Sequence, residues 1–68
     1  MKVKFSNLGA NKANFTAEMS EINFNNLYNV VRPYLYSSVI DFDFDTKGKT
    51  GTVFVGLVRP VGTFTVED

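Results

Sequence analysis

Between Ile40 and Asp45 the chain alternates strictly, with Ile40, Phe42 and Phe44 at even positions and Asp41, Asp43 and Asp45 at odd ones. Successive side chains of a strand point to opposite faces, so this segment can hide its aromatic row and wet its acidic row only in a sheet with one buried face. A slip of one residue would drive carboxylates into the core, which constrains the register of any neighbouring strand.

The nearest partner in sequence is the β-branched, apolar run Thr52–Val58. Taking Lys47 and Gly48 as the two loop residues, with Gly48 supplying a positive φ for a type I′ turn, sets Phe42 opposite Val53, Ile40 opposite Val55 and Ser38 opposite Leu57 on the inner face. The outer face then pairs Asp45 with Thr50, Asp43 with Thr52 and Asp41 with Phe54. A four-residue loop keeps the same partners, because parity is unchanged.

Upstream, Val3 and Phe5 alternate against Lys2, Lys4 and Ser6 as a short first strand, and Ala13, Phe15, Ala17 and Met19 form the apolar side of a second. Asn7–Lys12 between them holds Gly9 and two asparagines, residues that tolerate positive φ, and reads as a loop. From Ser20 the period changes: Phe24, Leu27, Tyr28, Val31 and Leu35 gather on one helical face. Ser20 or Asn23 is the expected N-cap, and Pro33 ends or bends the helix near Arg32. Asn23, Asn25, Asn26 and Asn29 are weak helix formers, so packing must hold this segment helical. Arg59-Pro60-Val61-Gly62 reads as a turn and Thr63–Glu67 as a closing strand with Phe64 and Val66 inward.

The expected order is β-β-α-β-β-β, an α+β fold in which one helix covers one face of a five-stranded antiparallel sheet. A small barrel of the SH3 or OB kind is the alternative architecture. The expected core is Val3, Phe5, Phe15, Ala17, Met19, Phe24, Leu27, Val31, Leu35, Ile40, Phe42, Phe44, Val53, Val55, Leu57, Phe64 and Val66.

With 68 residues the chain supports a single domain, residues 1–68, and its zero formal net charge gives no long-range attraction to nucleic acid or an acidic membrane. Without His or Cys, the usual zinc sites, Cys or Ser-His nucleophile systems and disulfide frameworks drop out. The first residues carry no apolar leader segment, and no apolar run approaches the ~20 residues of a membrane span, so a soluble cytoplasmic protein is expected.

Three groups of residues could carry function. Asp41, Asp43 and Asp45 stand ~6.6–6.8 Å apart along one strand face and, with Thr52 and Phe54, form a candidate docking surface for another protein or a second copy of the chain. The plain alternative is a solvated face whose charges prevent edge aggregation. A calcium loop of the EF-hand type fails, because Thr46 stands where Gly is needed and Thr52 where Glu is needed, so no metal is expected. Lys2, Lys4, Lys47 and Lys49 with Tyr34 and Tyr36 are the alternative candidates, for single-stranded nucleic acid. Gly48-Lys49-Thr50 echoes the end of a phosphate loop, yet Asp43 occupies the position of its first Gly and no helix is expected to follow. Val39, Phe54 and Val58 are apolar residues left on the outer face.

Neither a nucleophile with its base nor a cofactor loop is legible, so the expectation is a non-enzymatic interaction module without cofactor. Its shortness and asparagine content suit an accessory protein of a phage or mobile element. A weak single-stranded nucleic-acid binder is the second reading.

Overall fold

A computed structural model describes residues 1–36, 39–56 and 59–67. The elements are β1 (Lys2–Leu8), β2 (Ala13–Glu18), α1 (Phe24–Val31), a 3-10 turn (Arg32–Tyr34), β3 (Ile40–Asp45), β4 (Thr50–Val55) and β5 (Arg59–Glu67). The strands form one antiparallel sheet in the order β2-β1-β5-β4-β3. It is the α+β arrangement expected from the sequence. The sheet stays open with β2 and β3 as its edges, so the barrel alternative is not formed.

The β3–β4 register is the one that alternation demands: Ile40 faces Val55, Phe42 faces Val53, Asp43 faces Thr52 and Asp45 faces Thr50. The Ser38–Leu57 pair, and Leu57 as a core residue, lie outside the described residues. The loop has four residues, 46–49, and its positive φ of 56° belongs to Lys49 rather than Gly48. A left-handed residue there sets the Lys49 carbonyl to accept the Val66 N–H at 2.7 Å, which continues the β4–β5 ladder past Thr50.

Two strands run further than expected, and both do so through an irregularity. In β1 the register against β2 shifts between Phe5 and Leu8, with Asn7 at φ 54°. The Asn14 side chain fills the gap, accepting the Asn7 N–H at 3.2 Å and donating to the Lys12 carbonyl at 3.0 Å. One extra residue reverses the parity, so Leu8 turns inward beside Phe5 and is buried, where Gly9 and the two asparagines assigned it to a loop. In β5 the register against β4 shifts by one between Val53 and Phe54. The expected Arg59–Gly62 turn is therefore strand, and the reversal falls after β4, which ends at Val55 rather than at Val58. Pro60 is tolerated because it sits at this bulge and beyond the stretch of β5 that pairs with β1, which begins at Thr63.

Asn23 is the N-cap: its Oδ1 accepts the Asn26 N–H at 2.8 Å. Pro33 ends α1 as expected, and the chain tightens into the 3-10 turn. An eight-residue helix is about 12 Å long, whereas five strands span about 19 Å, so α1 alone cannot cover the sheet. Helix and 3-10 turn instead reach across it obliquely. The Phe24 ring meets Phe42 of β3 at 5.5 Å, and the Tyr34 ring stacks on Phe15 of β2 at 4.6 Å.

Between these contacts the rings form a continuous chain. Phe15 stacks on Phe5, Phe5 meets Phe64, and Phe64 touches both Phe42 and Phe44, all at centroid separations of 5.1–6.3 Å. Phe64 sits over Gly51, its cross-strand neighbour, where a Cβ would collide with the ring. Val3, Phe5, Leu8, Leu27, Val31, Leu35, Ile40, Val53, Phe64 and Val66 are among the buried residues, while Phe15, Ala17, Phe42, Phe44 and Val55 are partly covered. Phe24 departs from the expected core. It is 50% exposed, because it begins the helix over edge strand β3, with no further strand alongside.

Phe64→Ala is expected to cost about 3–5 kcal/mol, roughly all that a core of this size supplies. Phe54→Ala, on the opposite face, should cost about 1 kcal/mol or less. Urea unfolding followed by circular dichroism measures both. Equal losses would contradict the central place given to Phe64.

Candidate functional site

On the face away from the helix two polar rows cross the sheet, with Phe54 and Pro60 in the row beyond them. Register places Asp45, Thr50, Thr65, Lys4 and Thr16 in one row, and Asp43, Thr52, Thr63 and Ser6 in the next. The expected docking residues are therefore brought together. Asp41, Asp43 and Asp45 line edge strand β3, and half-buried Thr52 and Phe54 stand beside Asp43 and Asp41 on β4. Val39 precedes β3 and is 54% exposed, and Val58 lies outside the described residues.

The three carboxylates do different local work. Asp45 Oδ1 accepts the Lys47 N–H at 3.0 Å, an Asx turn that starts the hairpin loop. Asp41 Oδ1 accepts the Phe42 N–H at 2.8 Å. That N–H points off the sheet, as the Gly56 N–H bond to the Val39 carbonyl at 3.0 Å requires. It makes Val39 and Gly56 a hydrogen-bonded pair, and alternation then turns the backbone groups of Ile40, Phe42 and Phe44 outward. Asp41 thus caps part of an open edge. Among the described residues Asp43 has no such bond, and none of the three forms an ion pair. Nor, among those residues, do three or more His, Cys, Asp or Glu side chains converge as a metal site would require.

The alternative set does not come together. Lys2 and Lys4 lie on β1 toward the end of the sheet where Lys47 and Lys49 form the β3–β4 loop. Lys2 stands between Glu18 and Glu67 on the neighbouring strands, which offsets its charge. Tyr34 and Tyr36 are at the other end, where Tyr34 packs over Phe15 and against the backbone of Gly9.

That second end holds an arrangement the sequence did not reveal. A groove of about 570 Å³ opens over the two strand irregularities, lined in part by Ser6, Asn7, Lys12, Tyr34, Tyr36 and Arg59. Asn7, Gly9 and Lys12 all adopt positive φ, and the loop they shape is tied down by the Gly9 N–H bond to the Val61 carbonyl at 2.9 Å. Because Val55 pairs with Arg59, the bulge in β5 sends Arg59 to the helix side of the sheet, and Tyr36 lines the same groove. No local pattern marks this grouping, since Lys12, Tyr36 and Arg59 come to line one groove only when β1 pairs with β5.

Comparison with protein-family models, with curated proteins and with solved structures finds no match.

Two substitutions separate the roles of the aspartates. Asp45→Ala is expected to destabilise by about 1 kcal/mol through loss of the Asx turn. Asp43→Asn should change stability by less than about 0.5 kcal/mol, with any gain coming from relief of like-charge repulsion. Urea midpoints test both, and a larger loss at Asp43 than at Asp45 would reverse the assignment.

Proposed function

We propose that this chain is a non-enzymatic protein-interaction module that takes up an extended basic segment of a partner protein alongside β3. The supporting observation is the state of that edge. Its outward row is three carboxylates without ion pairs among the described residues, and its backbone groups at Ile40, Phe42 and Phe44 point away from β4. Its inner row, Phe42 and Phe44, is only partly covered, and Phe24 lies exposed beside Phe42.

A sixth strand with basic residues at alternate positions would set them against Asp41, Asp43 and Asp45 and its apolar residues against Phe24, Phe42 and Phe44. Lys or Arg opposite Asp41 would draw its carboxylate from the Phe42 N–H, and the incoming carbonyl would take over that donor. A second copy of this chain docked through the same strand would oppose aspartate with aspartate, so the charge pattern favours a partner of different sequence. Thr52 and Phe54 would flank the contact on the outer face. A cytoplasmic accessory role in a phage or mobile element is the setting we propose, in keeping with chain length and asparagine content. In the membrane context, none of the described helices is long and apolar enough to span a bilayer.

A short synthetic peptide in which Lys alternates with Val tests the reading by amide chemical-shift titration. Shifts should concentrate at residues 40–45 and weaken with salt, and Asp43→Lys should reduce affinity about tenfold by placing like charges across the contact. Undiminished binding to Asp43→Lys, or shifts centred on β2, would overturn it.

A further inference from the structure

We propose that the groove between the 3-10 turn and the start of β5 binds a nucleotide unit, a planar base carried on an anionic phosphate ester. The inference does not rest on the docking at β3: none of Asp41, Asp43 and Asp45 lines the groove, although Thr52 borders both surfaces.

Charge is the first argument. The chain is neutral overall, yet the groove lining holds Lys12 and Arg59 and no carboxylate among the described residues. Neither cation makes an ion pair or side-chain hydrogen bond among those residues. Elsewhere the pattern differs: Lys2 stands between two glutamates, and the β3 loop follows a row of aspartates. An anion is therefore least opposed at this end of the molecule. Arg59 offers a planar fork suited to phosphate oxygens, and Lys12 a second point charge from the facing loop.

The aromatic lining points to the other half of the ligand. Tyr36 is 93% exposed, and Tyr34 is 43% exposed although its ring already stacks on Phe15. Exposed rings that share a groove with cations free of ion pairs among the described residues are the combination on which bases stack while their phosphates are held. The groove volume of about 570 Å³ lies within the usual ~300–1,000 Å³ of small-ligand sites.

The backbone supports a built site. Irregularities in β1 and β5, strands that pair with each other, lie next to one another beneath the groove. Three residues of the Asn7–Lys12 segment hold left-handed φ, two of them not glycine. Such devices re-aim side chains and cluster where a ligand is met. Here Lys12 and Arg59 both line the groove that these irregularities underlie.

Amide chemical-shift titration with adenosine 5′-monophosphate at low salt is the test. Saturable shifts at residues 9–12, 34–36, 59, 61 and 62 are expected at millimolar ligand. Adenosine and ribose 5-phosphate, each lacking one half of the ligand, should each bind about tenfold more weakly. Arg59→Gln with Lys12→Asn should abolish the shifts, Asn being at ease with the φ of 51° at position 12. Tyr36→Ser should weaken the nucleotide while leaving ribose 5-phosphate unchanged. Asp43→Asn should leave nucleotide binding intact, which separates this site from the one at β3.

A short single-stranded oligonucleotide distinguishes the source. Tighter binding with a steeper salt dependence would mark a strand, and affinity no better than the monophosphate a free nucleotide. Absence of saturable shifts, shifts mapping to the Lys47–Lys49 loop, or binding undiminished in the double variant would each overturn the proposal.

Discussion

The ring of Phe64 lies where the load on this small sheet converges. It touches Phe5 on one neighbouring strand and Phe42 and Phe44 farther across the sheet, and it covers Gly51 on the other. Through Phe5 and Phe15 the contact continues to Tyr34, and through Phe42 to Phe24 and Tyr28. Six of the seven phenylalanines belong to this chain of rings, with Phe54 left on the outer face. Without disulfides, and with a helix too short to roof five strands, aromatic area does the covering that longer helices do elsewhere.

The same shortage leaves a directional surface. The helix begins over β3 and the 3-10 turn ends over β2, so the inner face is closed along a diagonal and thinner at its corners. At the β3 corner the exposed material is aromatic inside and acidic outside. At the β2 and β5 corner it is tyrosine and cation. A neutral chain thus carries two unlike ends, and the two binding proposals follow that division.

Legibility tracked sequence distance. The β3–β4 register could be read because it rests on parity within a single hairpin, and the outward placing of Asp41, Asp43, Asp45, Thr52 and Phe54 came with it. The helix end was readable for a similar reason, since Pro33 stops it through local sterics, and of the two N-cap candidates, Ser20 and Asn23, it is Asn23 that caps the helix. The loop conformation was not. Gly48 is the residue that most easily takes positive φ, yet Lys49 takes it, because Val66 from the far end of the chain needs its carbonyl. Pro60 and Gly62 carried a local turn signal that pairing with β4 overrode. Leu8 was hidden for the same cause: a bulge shifted its parity, and no feature of the heptapeptide around it announces one.

Alternation and capping, acting between residues a few positions apart, settled from the sequence the order of strands and helix and which face of β3 meets water, though not where β1, β4 and β5 begin and end. The order β2-β1-β5-β4-β3, the two bulges, the exposure of Phe24 and the grouping of Lys12, Tyr36 and Arg59 were decided only when distant segments paired. The physical reason is that backbone hydrogen bonding and ring packing between strands remote in the chain outweigh turn preferences worth about 1 kcal/mol each. No window of sequence shows which remote strand will supply those contacts.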